Sequence, residues 1–272
     1  MTTRPSRPRR HRSTWQVLLT ITAVAVVVLI VFGVFIRLAG IRYVRCAYED
    51  GYIKYFGRMD ASDTPVGDTL VYSDGRRAKI DGDTGVITYS NGDVYEGTLV
   101  SLQKSGHGVL TYADGDVYEG EFFADQLHGY GEYRFAGGDT YAGDFKNGVF
   151  DGAGIYTWAD GSVYDGEYRA GQRDGKGVFT AANGDRYEGE YRNNLKHGTG
   201  TATFAGGDRY EGGYENDMRS GRGVYTWANG EKYEGVFREN VMWGEGVYTW
   251  PSGRVYTGYF ENGVIVRVEG GN

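Results

Sequence analysis

A glycine recurs every 23 residues from Gly92 to Gly253, through Gly115, Gly138, Gly161, Gly184, Gly207 and Gly230. Three residues after each stands a tyrosine: Tyr95, Tyr118, Tyr141, Tyr164, Tyr187, Tyr210, Tyr233 and Tyr256. Two further on lies a second glycine, from Gly97 to Gly258, and two beyond that a large apolar or aromatic residue, from Leu99 to Phe260. A Gly-x-Gly follows in seven of the units, as in Gly106-His107-Gly108 and Gly244-Glu245-Gly246. A register held over eight units demands a repeat architecture, in which each unit is one supersecondary element that buries its face against the next.

The unit itself reads as a β-hairpin. Strand residues alternate between faces, so Tyr95, Gly97 and Leu99 share one side while Val94 and Glu96 take the other. The second strand places Gly108, Leu110 and Tyr112 together, and aromatic rings can then lie across bare glycines. Composition fits this pattern: the chain has 46 Gly and 24 Tyr but only 4 Pro. Units are joined by Asn91-Gly92, Asp114-Gly115, Gly137-Gly138, Asp160-Gly161, Asn183-Gly184, Gly206-Gly207 and Asn229-Gly230, pairs that predict two-residue type I′ turns. Within the unit a longer loop is expected at Asp125, Gly148, Gly171, Asn194, Asp217, Asn240 and Gly263, residues that enter the left-handed region cheaply; Leu102 breaks that column. The expected fold class is therefore all-β, an elongated single-layer antiparallel meander of tandem 23-residue hairpins.

One α-helix is predicted ahead of it. Trp15 to Ile36 carries no charge and spans about 33 Å as a helix, enough to cross a hydrocarbon core. The run is longer than a signal-peptide core, and Arg37-Leu38-Ala39-Gly40 makes a poor cleavage site. Residues 1–14 form a basic leader, 15–37 the transmembrane helix, 38–68 a connector, 69–91 a degenerate first repeat, 92–266 the array and 267–272 a tail. Arg4, Arg7, Arg9, Arg10 and Arg12 precede the helix, against Arg37, Arg42 and Arg45 after it. This bias keeps the N-terminus cytoplasmic and places the repeats on the periplasmic or extracytoplasmic side, a bacterial inner membrane being the favoured setting.

Those eight Arg precede the first acid. Removing them from the 29 basic residues leaves 21 against 36 acids, a balance of −15. An acidic body repels nucleic acid and disfavours electrostatic binding of the repeats to anionic lipid. The lone Cys46 leaves no disulfide framework.

The motif Tyr-Glu-Gly-x-aromatic, followed by Gly-x-Gly and an Asn-Gly or Asp-Gly turn, resembles the MORN repeat (membrane occupation and recognition nexus). Tyr187-Glu188-Gly189-Glu190-Tyr191 and Tyr233-Glu234-Gly235-Val236-Phe237 carry it most clearly, and the resemblance covers about Thr69 to Val266. It implies a scaffold or recognition surface. MORN repeats help junctophilins bridge two membranes, and in plant phosphatidylinositol-phosphate kinases and a histone-lysine methyltransferase family they accompany a separate catalytic domain.

No such domain is expected here, and no catalytic residues, metal site or cofactor. The Gly-x-Gly segments open no helix and lack the Lys-Ser or Lys-Thr of a phosphate loop. The acidic column Glu96, Glu119, Asp165, Glu188, Glu211 and Glu234 reads as a solvated face, since equivalent strands stand near 10 Å apart and one calcium needs its oxygens at about 2.5 Å. The candidate binding residues are aromatic: Tyr112, Phe135, Trp158, Phe204, Trp227 and Trp250 in one column broken at Ala181, with Trp243 adding apolar area near Trp250. A row of rings on a single-layer sheet has no second layer to cover it, which marks an interaction site. The chain thus reads as a non-enzymatic membrane-anchored scaffold that binds a protein partner, a second copy of itself included. Direct recognition of lipid or envelope glycan by the rings is the alternative.

Overall fold

The computed structural model of the chain describes residues 14–49 and 51–268. The Arg-rich leader and the end of the tail lie outside the described residues. The chain divides into two compact units, Met1–Ser90 and Asn91–Asn272.

In the first unit, helix α1 (Thr14–Leu38) covers the uncharged run, with most of its described apolar side chains exposed, Leu29 and Phe35 among them. A helix of this length and composition can cross a membrane. Strands β1 (Ile41–Tyr48) and β2 (Gly51–Met59) follow as an antiparallel hairpin. Short strands β3 (Pro65–Val66), β4 (Thr69–Tyr72), β5 (Arg77–Ile80) and β6 (Ile87–Tyr89) extend it. One face is the core, built of Ile53, Tyr55, Leu70, Tyr72, Ala78, Ile80, Ile87 and Tyr89.

The segment expected as a connector is therefore folded. Its physical reason is a Tyr-x-Gly in β2: the buried Tyr55 ring lies against Gly57, and its hydroxyl donates to the Arg58 carbonyl at 2.6 Å. The degenerate repeat packs into this same unit.

The second unit is a sheet of sixteen strands, β7 (Val94–Val100), β8 (Gln103–Thr111), β9 (Val117–Phe123) and β10 (Gln126–Arg134), continuing to β21 (Val255–Glu261) and β22 (Val264–Val268). Each strand pairs antiparallel with the next in sequence. A spine of paired glycines crosses it, with Gly97 opposite Gly108, Gly120 opposite Gly131 and Gly189 opposite Gly200. Over the spine lie fully buried tyrosines, Tyr95, Tyr118, Tyr141, Tyr164, Tyr187, Tyr210 and Tyr233.

Glycine is required because a Cβ at Gly200 would stand 2.5 Å from the Tyr187 hydroxyl oxygen and 2.6 Å from its ring. Each hydroxyl donates three residues ahead, Tyr118 to the Glu121 carbonyl at 2.8 Å and Tyr141 to that of Asp144 at 3.0 Å. Burial pushes these hydroxyls up, that of Tyr95 to about 12. Each following aromatic wedges edge-on between two tyrosines: Phe122 sits 5.2 Å from Tyr95 and 5.1 Å from Tyr118. The contact that completes one repeat thus belongs to the next, which makes stability a nearest-neighbour property.

The two sets of turns exchange the geometries expected of them. At the junctions between repeats Gly115 N–H donates to the Tyr112 carbonyl at 3.0 Å, and only the glycine has positive φ, 99° at Gly115 and 97° at Gly138. These are type I turns with the glycine as a left-handed bulge residue. The preceding Asn or Asp stays out of the left-handed region because its side chain holds the turn, as Asp160 Oδ1 does by accepting Ser162 N–H at 2.8 Å. The within-unit connections are the two-residue ones, with positive φ at both positions: Ala124 and Asp125, Asn193 and Asn194, Asn216 and Asp217. Leu102 adopts the same conformation at 66°, held there with its side chain buried.

Candidate protein-interaction surface

The tyrosine face of the repeat sheet carries the aromatic column. Tyr112, Phe135, Trp158, Phe204, Trp227 and Trp250 each occupy the first position of a type I turn, closed by a bond from the glycine three residues on. Rings from adjacent strands fill the spaces between them. Tyr133 stands 5.9 Å from Tyr112 and 4.4 Å from Phe135, and Tyr156 4.7 Å from Trp158. A second stretch runs Tyr225, Trp227, Tyr248, Trp250 with spacings of 4.7, 5.4 and 4.9 Å. Ala181 and Ala202 separate the two stretches, and Phe204 beside them is the most open of the column at 37 % exposure. Most of the column is half-buried by its neighbours.

Trp243 is not part of it. It lies on β20 (Val241–Thr249) opposite Val236, with the Arg238 guanidinium 5.2 Å from its ring. That places it toward the two-residue turns, while Trp250 sits in the turn at the other end of the same strand. It adds no area beside Trp250. Trp227, Trp250, Phe260, Val264 and Ile265 do line a cavity of about 420 Å³ at the C-terminal end of the tyrosine face.

A row that the column hid runs alongside. The residue after each junction glycine reaches into the next repeat: Asp116 Oδ1 accepts Ala136 N–H at 2.8 Å, and Asp208 Oδ1 accepts Ala228 N–H at 2.9 Å. The second oxygen accepts a tyrosine hydroxyl, Tyr133 on Asp116 at 2.7 Å and Tyr225 on Asp208. The Tyr225 hydrogen bond, with the Ala228 amide behind it, holds the Asp208 carboxyl below its ordinary range. Ser162 replaces the carboxylate where the next repeat offers Phe179 in place of a tyrosine. The signal was legible as Asn-Gly-Asp, Asp-Gly-Asp and Gly-Gly-Asp.

The opposite face is grooved. Over β14 (Gln172–Thr180) to β18 (Met218–Thr226) a groove of about 720 Å³ is lined by the glycine spine with Lys176, Val178, Glu188, Glu190, Thr201 and Glu211. A second, of about 700 Å³, continues from β18 to β21 past Arg222, Glu234, Val236, Glu245 and Val247, and the two share Val224. The groove alternates carboxylate and β-branched side chains because register sets Val178 against Glu188 and Val224 against Glu234.

Glu190 is held below its ordinary range by the Thr199 backbone N–H at 3.1 Å and hydroxyl at 3.0 Å. The outer cations Arg186, Arg209 and Lys232 pair with Glu188, Glu211 and Glu234 at 2.8, 2.7 and 3.0 Å, leaving those carboxylates 60 to 62 % exposed. The acidic column is solvated, and it also rims a groove. The period-2 pattern of Val and Thr across from the Glu column was the available signal. Among the described residues no three His, Cys, Asp or Glu side chains form a metal-holding group.

A model of the MORN repeat matches seven consecutive segments, residues 95–117, 118–140, 141–163, 164–186, 187–209, 210–232 and 233–253, more than half of the chain. The chain belongs to the MORN repeat family. Comparison with curated proteins gives no significant match. Among solved structures, the TCP10 domain of Danio rerio CPAP in complex with a peptide of STIL is 14 % identical, with a TM-score of 0.44, 84 % of this chain and 98 % of that chain covered. The Drosophila melanogaster SAS-4 TCP domain with a proline-rich motif of Ana2 is 15 % identical, with a TM-score of 0.36 and coverage of 57 and 85 %. Virginiamycin B lyase from Staphylococcus aureus scores 0.16 at 13 % identity, covering 82 and 70 %. Likeness at these scores transfers no function to the MORN array.

Proposed function

We propose that this MORN protein is a membrane-anchored, non-catalytic scaffold that holds an extended segment of a protein partner in the groove of its carboxylate face. α1 serves as a single-pass anchor with the N-terminus cytoplasmic, and the anchor raises the local concentration of the array at the bilayer. The carrying observation is the pair of grooves that meet at Val224, long enough to track several repeats and walled by valine and glutamate side chains, with Lys176 and Arg222 the two cations among them. Such a wall suits a segment that alternates basic and apolar residues: apolar side chains are desolvated against Val178, Val224 and Val247 while cations meet Glu211 and Glu234.

A photo-crosslinking residue at Thr201 of the full chain, expressed in cells, tests this. We expect an adduct with one protein partner that is lost in Glu211→Lys/Glu234→Lys and kept in Trp250→Ala. The reverse pattern defeats the groove. It would favour a second reading, drawn from the cavity beside Trp227 and Trp250, in which these rings stack on an envelope glycan.

A further inference from the structure

The strands of the first unit carry six charged residues, Arg42, Arg45, Lys54, Arg58, Arg77 and Lys79, and all are cations. The described carboxylates of this unit sit in the turns between strands.

Register sorts the cations by face. Arg45 pairs with Lys54, Lys54 with Val71 and Val71 with Arg77, while Ile41 pairs with Arg58 and Thr69 with Lys79. Directly paired residues share a face, so five cations stand together on the face opposite the Tyr55 and Leu70 core. Tyr43 and Phe56 pair on this same face and are 60 and 58 % exposed. The Arg45 guanidinium and the Lys54 ammonium flank the Tyr52 ring at 4.3 and 4.5 Å. Among the described residues the ion pairs of this unit are Arg42 with Asp63 and Arg76 with Asp74, neither drawn from the five.

The hairpin is also tied to the end of the helix. Only Ala39 and Gly40 separate α1 from β1, and two residues reach about 7 Å at full extension. Ala39 N–H donates to the Phe35 carbonyl at 2.9 Å, and Met59 N–H of β2 to the Gly40 carbonyl at 3.2 Å. A hairpin so placed cannot leave the surface of a bilayer that α1 enters. Exposed aromatic rings among basic side chains are the composition that interfacial headgroups select, since the rings sit at headgroup level and the cations meet lipid phosphates.

We propose that the basic, aromatic face of β1, β2 and β5 lies on the anionic headgroup layer of the bilayer that α1 enters. This rests on α1 being the anchor.

The test uses the full chain in nanodiscs, in a Cys46→Ser background, with an environment-sensitive dye at one engineered cysteine. Ala47→Cys reports the proposed face and spares its rings and cations; Leu29→Cys reports the helix. We expect the dye at 47 to be severalfold less accessible to aqueous iodide in phosphatidylglycerol discs than in phosphatidylcholine discs. That protection should vanish in Arg45→Gln/Lys54→Gln/Arg58→Gln, whose core is untouched. Equal accessibility at 47 in both lipids, with the dye at 29 shielded, overturns the docking and leaves the anchor standing. Free access of iodide at 29 overturns the anchor, and the docking with it.

Discussion

The two long edges of the repeat sheet perform the same task with different chemistry. Along the edge of two-residue turns, a backbone bond joins repeat to repeat at every joint, and a side chain adds to it only where the turn residue is Asp or Asn, as Asp125 does by accepting Lys104 N–H at 2.8 Å. Asp125 N–H donates to the Lys104 carbonyl at 3.1 Å, Gly148 to Leu127 at 2.9 Å, Gly171 to Phe150 at 2.8 Å and Gly263 to Met242 at 3.0 Å. Along the type I edge the joint is made by side chains, Asp93 to Ala113, Asp139 to Ala159 and Asp185 to Ala205, at 3.0, 2.8 and 2.8 Å. A backbone joint is indifferent to sequence, which is why that edge tolerates Ser101-Leu102, Ala124-Asp125 and Asn147-Gly148 alike. A side-chain joint fixes residue types and can titrate. The aromatic column belongs to the second edge, so its rings are set by the same carboxylates that stitch the repeats.

The sharpest break should come from the centre, where both edges depend on one spine. Gly200→Ala forces the Tyr187 ring off Gly189 and Gly200, and overpacking of this kind costs about 3 kcal/mol. Urea unfolding should show the loss, and hydrogen exchange should quicken at Asn194 and Ala205 together. If only one edge responds, the spine is not what couples them.

A smaller effect should separate the edges. The Tyr156 hydroxyl, then the Ala159 amide, lowers the Asp139 carboxyl from its ordinary value, and the Ala205 amide, then Asn183, does so for Asp185. A carboxyl depressed on folding contributes stability that is present above its unfolded value of 3.8 and is lost as pH falls through the folded one. Below about pH 4 the amides of Ala159 and Ala205 should therefore lose protection, after correction for intrinsic exchange. The Arg173 amide, held by the non-titrating Asn194 Oδ1 at 2.9 Å, should keep its own. Parallel loss at all three would mean that acid unfolds the sheet globally.

Much of this fold is legible in the amino-acid sequence. The 23-residue period gave the hairpin array, the uncharged run gave α1, and tyrosine over glycine gave the packing between strands. What escaped was decided by interactions that cross units. Asn-Gly and Asp-Gly suit a type I′ turn in an isolated hairpin, but here the following Asp must face the next repeat, and a type I turn with a glycine bulge aims it there. Leu102 looked like an interruption because its left-handed backbone is sustained by burial, a tertiary cause. The folded connector was missed because its single Tyr-x-Gly, Tyr55 to Gly57, lacks a periodic partner. The aromatic candidates are a column in the sequence, and the structure shows most of them half-buried against rings supplied by adjacent strands. The groove was overlooked because a Glu column looks the same whether it faces open water or rims a concavity.

The smallest predicted effect is the most discriminating. The side-chain relay stops at one point: Pro251 occupies the position of Ala113, Ala136, Ala159, Ala182, Ala205 and Ala228, and has no N–H to donate. The residue that should have capped it is Glu231, one methylene longer than the Asp found elsewhere, and its carboxylate bonds the Tyr248 hydroxyl. Donor and acceptor have thus departed from the pattern together, as expected if the row is a set of working pairs. Pro251→Ala alone should destabilise by about 0.5 kcal/mol, since proline suits the second position of a type I turn and restricts the unfolded chain. Glu231→Asp alone has no amide to meet. Combined, the two changes should show a favourable coupling of about 0.5 to 1 kcal/mol in a double-mutant cycle, the net worth of one hydrogen bond. A coupling of zero would mean that the Asp-to-Ala contacts elsewhere follow from turn geometry and hold nothing together, and the contrast between the two edges would then reduce to one of shape.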